Sequence, residues 1–217
     1  RIGPLARTFD FVADAAPGVK EILAVGKLCH EVRERNYDLV VVDAEATGHI
    51  VAQIGAPKVI RDLVQVGLVR EQTDWMLDIL QDPDTTGVAV VTTPEEMPVT
   101  ETISLLERLQ SETGVAPTVV VANRVVPESF DDEQRHVVNR LAEARSILVD
   151  AAGKGEGAVV EAARINEARR RTGQDHLDRL RASTGDLPVI AVPEMFTRAT
   201  GARVVTLVAD ALGGVID

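Results

Sequence analysis

The run Leu39-Val40-Val41-Val42 ends in Asp43, and a stretch of small residues, Ala44-Glu45-Ala46-Thr47-Gly48-His49, follows it. A carboxylate at the end of an apolar strand, ahead of a small-residue loop, can hold Mg²⁺ and sense the γ-phosphate of a nucleotide. Magnesium keeps most of its waters and phosphate oxygens, so one well-placed Asp is enough protein ligand. Thr47 would supply a hydroxyl and Gly48 the freedom for the loop to respond when phosphate leaves. His49 would reach a phosphate or a neighbouring subunit. The bland readings stay open beside these: a solvated strand-end acid at Asp43 and a structural histidine at His49.

A second group lies further along. Asn123-Arg124 closes a Val-rich run, and an amide at a strand end can both accept from and donate to a purine base edge; it can equally be a turn-forming Asn. Pro193-Glu194-Met195-Phe196 closes the last apolar run and would cap a base with backbone and apolar contacts if its strand lay beside that of Asn123. Thr92–Thr102 carries Glu95, Glu96 and Glu101 but no acid–base partner, and reads as a strand-to-helix turn with Pro98 near the helix start. The glycines of Gly153-Lys154-Gly155-Glu156-Gly157 do not form a phosphate loop, which needs G-x-x-x-x-G-K-[ST] between strand and helix; no lysine of the chain precedes Ser or Thr. They read as a turn between helices. His30, His49, His136 and His176 show no metal-ligand spacing, and there is no G-x-S-x-G elbow.

Four buried-strand patterns would position these groups: Leu39–Asp43, Val88–Thr93, Thr118–Asn123 and Leu187–Val192. Helical patterns separate them: Pro17 to about Arg35, two helices within Pro57–Leu80, one from about Pro98 through Leu109, charge-laced helices over Asp131–Ala152 and Ala158–Ala182, and Thr200–Val215 at the end. Strands alternating with helices predict right-handed crossovers and a parallel sheet, and open α/β sheets bind ligands at the carboxyl ends of their strands. The expected fold is α/β: a parallel sheet flanked by helices.

Composition narrows the function classes. The 217 residues are 45% hydrophobic and 26% charged, with a net charge of −11. That acidity argues against a nucleic-acid surface, and no apolar run is long enough to span a bilayer. One cysteine, Cys29, excludes an internal disulfide framework and points to a reducing cytoplasm.

Tyr37–His49 resembles the switch II segment of the ArsA-type anion-transporting ATPases, the family of arsenical-pump and tail-anchored-protein-targeting ATPases. That pattern is an apolar strand followed by Asp-Thr-Ala-Pro-Thr-Gly-His; Asp43, Thr47, Gly48 and His49 keep register, whereas Ala44, Glu45 and Ala46 depart from it. Val91–Leu106 is similar to the family's strand and following Pro-Glu and Glu-Thr helix start. Asn123 matches the adenine-contacting Asn, and Pro193 with its neighbours resembles the loop closing over the base. In order, these motifs cover most of residues 37–200.

The resemblance implies a P-loop-NTPase-like three-layer fold and ATP with Mg²⁺ as ligands. It implies a homodimer or paralogue heterodimer whose opening follows nucleotide state, and a hydrophobic helical client or membrane-protein partner. Asp43 would hold the water shell of the metal, Thr47–His49 would pass on the hydrolysis signal, and Asn123, Arg124, Pro193, Glu194 and Met195 would surround the base. The family's phosphate-binding loop and switch I precede this segment and have no counterpart in the 217 residues. The chain therefore reads as one partial α/β ATPase-like domain over 1–217, incomplete at its amino terminus, with helical insertions at about 50–86 and 131–182. Alone it is expected to bind Mg-ATP weakly and not to hydrolyse it. A cysteine-based arsenite site and a zinc-clamping Cys-x-x-Cys pair are both missing. The rival reading is a non-catalytic chaperone or regulatory module that binds a hydrophobic helix along Val59–Leu80. A MinD/ParA-type positioning ATPase is a third, weakened by the Thr-Gly-His loop.

Overall fold

The computed structural model describes residues 19–44, 47–64, 66–144 and 154–216. In chain order the elements are α1 (Val19–Arg33), α2 (Thr47–Leu63), α3 (Leu68–Leu80), β1 (Val88–Thr92), α4 (Glu96–Arg108, running into a π turn at Leu109–Thr113), β2 (Pro117–Val125), α5 (Asp132–Glu143), α6 (Lys154–Thr184), β3 (Val189–Pro193) and α7 (Ala202–Ile216). The strands form one sheet in the order β1-β2-β3, with β2 and β3 parallel. The chain divides into two compact units, one of Arg1–Ala89 with Glu101–Thr118 and the other of Val90–Thr100 with Val119–Asp217.

In the first unit α1, α2 and α3 pack on one another. Val25, Cys29 and Met76 are buried, flanked by Ile22, Trp75, Ile79 and Leu80, which are the inward positions of amphipathic helices. Gly26 is small for a reason: a Cβ there would stand 2.9 Å from the Met76 methyl. Pro57 is fully buried inside α2, where it removes a helical hydrogen bond. The π turn after α4 is held from outside. Lys58 Nζ donates to the carbonyl of Glu112 at 2.9 Å, and Gln81 Nε2 donates to that of Thr113 at 2.8 Å.

In the second unit the sheet is the scaffold. Val120, Ala122 and Val192 are buried, and along β2 the alternation of pleat side chains is visible between Val120 and Ala122 and their more exposed neighbours. On α6, Leu177 and Leu180 are also fully buried. Arg179 Nη2 donates to Thr100 Oγ1 at 3.1 Å, tying α6 to the first turn of α4. Asp131 caps α5 reciprocally with Gln134, a capping box.

A further network joins α5 and α6. Glu167, with its side chain 7% exposed, bonds both guanidinium arms of Arg170, and Arg135 Nε lies 2.8 Å from its Oε1. That last contact is an ion contact without the alignment of a hydrogen bond.

Three sequence expectations are corrected. Leu39–Asp43 is not a strand. It is irregular, and Leu39, Val41 and Val42 are 78%, 83% and 51% exposed. A β-branched run becomes a buried strand only where neighbours pair and cover it, and no described strand pairs with this one. Thr47-Gly48-His49 is not a loop but the first turn of α2. Residues 154–157 are not a turn but the start of the 31-residue helix α6, where the crowd of helix formers that follows outweighs two glycines. The other three strands stand within a few residues of expectation, as do α1, α4, α6 and α7. The two helices expected within Pro57–Leu80 are α2 and α3, but α2 already starts at Thr47. The helix expected over Asp131–Ala152 is α5, seen to Glu143; residues 145–152 lie outside the described residues.

Candidate functional site

β2 and β3 end side by side, and their ends carry the second group of predicted residues. Ala122 pairs with Ala191, yet the next pair is Val125 with Pro193, so three steps on β2 match two on β3. The extra residue is a bulge, a device that re-aims side chains at a strand end. It is built at Asn123-Arg124. Arg124 has a left-handed backbone (φ 59°), and Asn123 Oδ1 accepts its N–H at 2.9 Å. Asn supports such local turns with its own side chain. Oδ1 keeps a second lone pair, and the amide NH₂ makes no hydrogen bond among the described residues.

Past the bulge the two chains remain joined. The backbone N–H of Glu194 donates to the carbonyl of Val125 at 2.8 Å. The Glu194 side chain, 13% exposed, takes Arg124 Nη2 on Oε1 at 3.1 Å and Arg169 Nη2 on Oε2 at 3.2 Å. Met195 is half-buried beside it, while Pro193 is exposed. Asn123, Arg124, Pro193, Glu194 and Met195 are thus one constellation.

An open pocket of about 550 Å³ adjoins it. Pro94, Glu95 and Glu96 follow β1 on one wall, Arg124 to Val126 close β2 on another, and α6 supplies the third with Arg164, Arg169 and His176 among its residues. Its place at the carboxyl ends of the strands is where open α/β sheets take ligands. The α6 wall was missed in the sequence. Its only signal was the basic cluster Arg169-Arg170-Arg171, which in a helix rich in both charges reads as a solvated face.

The first group lies in the other unit. Asp43 is exposed and irregular, and its carboxylate makes no hydrogen bond or ion pair among the described residues. Gly48 and His49 are exposed in the first turn of α2, and Thr47 opens that helix. Residues 45 and 46 lie outside the described residues. Among the described residues no group of three or more His, Cys, Asp or Glu forms a metal cluster. Nor is any described helix long and apolar enough to cross a membrane.

Parallel strands, flanking helices and a pocket at the strand ends define a P-loop-NTPase-like α/β protein. The sequence matches the anion-transporting ATPase family over residues 5–74 and 57–152. The chain belongs to the ArsA-type anion-transporting ATPases. Among its curated relatives are ATPase BagA of Mycobacterium tuberculosis (strain H37Rv) and the putative ATPase Mb3704 of Mycobacterium bovis. Each is 30% identical over 166 residues, covering 73% of this chain and 46% of the relative. A putative arsenical pump-driving ATPase of Halobacterium salinarum is 29% identical over 125 residues, or 54% of this chain and 19% of the relative. The chain spans about half the length of the mycobacterial relatives it matches.

Proposed function

We propose that the protein of which these residues are part binds and hydrolyses ATP, and that hydrolysis drives a conformational change for a transported or delivered client. The observation that carries this reading is the constellation at the ends of β2 and β3. There the Asn123 amide NH₂ makes no hydrogen bond among the described residues, and the neighbouring loop, Pro193–Met195, is hydrogen-bonded to the same strand end. A purine fits this chemistry: Asn123 would read its edge and the loop would cover its face. Family membership supports the nucleotide being ATP.

Asp43 is suited to a magnesium ion, being an exposed carboxylate with no partner among the described residues and Mg²⁺ needing few protein ligands. When bound, the ion would neutralise phosphate charge. Asp43 would orient its water shell, and Thr47, Gly48 and His49 would carry the change of phosphate state into α2, whose first turn they form. The reading includes a cytoplasmic dimer. The 217 residues contain no Walker A sequence, so the phosphate-gripping lysine must come from elsewhere, and these residues alone would bind Mg-ATP weakly without turning it over.

A second reading, a module that docks a hydrophobic helix, is favoured by one feature of the first unit. Val59, Leu63, Val66, Leu68 and Val69, around the end of α2 and the start of α3, are between 49% and 83% exposed. The two readings separate by phosphate release from the full-length protein. Steady ATP hydrolysis that Asp43→Asn strongly reduces supports the first; no hydrolysis with retained binding of an amphipathic helix supports the second.

A further inference from the structure

The carboxylate of Glu194 is shared between two cations from different elements. Arg124, at the bulge ending β2, bonds Oε1; Arg169, in the middle of α6, bonds Oε2. The carboxylate is nearly buried, at 13% exposed, while the two guanidiniums are 60% and 52% exposed. With its backbone N–H on Val125 and an arginine on each oxygen, Glu194 has little rotamer freedom left. The other cations on this wall are committed elsewhere: Arg164 pairs with Glu161 and Arg170 with Glu167, both on α6 itself. Arg169 is the α6 guanidinium of the pocket whose partner lies on the loop after β3.

We propose that Arg169 is a positioning residue for the base of the nucleotide. Acting through Glu194, it holds the Pro193–Met195 loop against the Asn123 bulge, so that discrimination between bases depends on it while the grip on phosphates does not. This rests on the reading that a purine lies between Asn123 and that loop. A charged pair this exposed contributes modestly in itself; its leverage comes from fixing the loop backbone, where a shift of the covering residues changes the fit of one base edge more than the binding of a phosphate.

The test is displacement of a fluorescent ATP analogue from the full-length protein by ATP, GTP and inorganic tripolyphosphate, in wild type, Asn123→Ala, Arg169→Met, Arg169→Lys and Glu194→Gln. Arg169→Met is expected to weaken ATP binding about threefold, to narrow the ATP-to-GTP preference, and to leave tripolyphosphate unchanged. Glu194→Gln should do the same, and Arg169→Lys should restore most of the preference. Equal losses for all three competitors, or no loss for any, would overturn the proposal. If Asn123→Ala abolishes base preference while Arg169→Met and Glu194→Gln keep it, the base site stands and the role of Arg169 falls. If the wild type binds no nucleotide, or shows no preference between ATP and GTP, both fall.

Discussion

The Glu194 N–H donates to the carbonyl of Val125 at 2.8 Å, one residue beyond the left-handed Arg124. This bond carries the β2–β3 pairing past the bulge, so the loop after β3 begins from a fixed point instead of fraying. Asn123 is left out of the regular ladder, with its amide turned to local use and its NH₂ unspent. Two neighbouring strand ends are thereby joined into one continuous edge.

Asn123→Ala in the full-length protein should weaken ATP binding about fivefold, the loss of one net hydrogen bond. Calorimetric titration with ATP and with tripolyphosphate checks this: the triphosphate chain alone should bind both proteins equally. An unchanged ATP affinity would remove the base from this edge.

Asp43→Asn should reduce hydrolysis by the full-length protein on the order of a hundredfold, the scale seen when one electrostatic group of a reacting site is removed. Nucleotide binding in the absence of magnesium should be unaffected. A rate within a factor of about two of wild type would return Asp43 to an inert surface acid.

Glu167 supplies a pH prediction. The hydrogen bond from Arg170, then the charges of Arg170 and Arg135, hold its carboxyl below the ordinary 4.5, against the opposing effect of burial. A carboxyl lowered in the folded state stabilises at pH above its unfolded value, and that stabilisation is lost as pH falls through the folded value. Urea unfolding should therefore show stability level from neutral pH down to about 4.5 and falling below it. Glu167→Gln should cost about 1–3 kcal/mol at neutral pH and flatten the acid slope. A slope unchanged by Glu167→Gln would assign the acid sensitivity to other carboxylates.

Cys29 is 2% exposed, and burial pushes its thiol up to about 11. It should resist an aromatic disulfide reagent near neutral pH, because the thiolate is the reacting form, and should react fully once urea unfolds the chain. Fast labelling of the native protein would contradict the packing of α1 on α3.

Much of this was readable from residue types. Val-rich runs bounded by polar turns gave β1, β2 and β3 because their neighbours bury them, and amphipathic spacing gave α1, α3 and α7. Leu39–Val42 carries the same composition yet stands exposed and irregular, because a pattern of side chains specifies what a segment would bury and not which strand will pair with it. Asn123 and Pro193 were legible as strand-end residues. The bulge that aligns them was not, since it depends on register, and neither was the Glu194–Arg169 pair, which joins groups 25 residues apart through tertiary packing. Gly155 and Gly157 misled in the other direction: local turn preference lost to the length of helix that follows them.

Where the base sits is the central matter. Photolabelling of the full-length protein with 2-azido-ATP, followed by peptide mapping, tests it directly. Covalent label on peptides spanning residues 123–126 and 193–197, competed by ATP and absent in Asn123→Ala, is the predicted result. Label confined to other segments, or label at these peptides that ATP does not displace, would contradict a nucleotide site at the ends of β2 and β3.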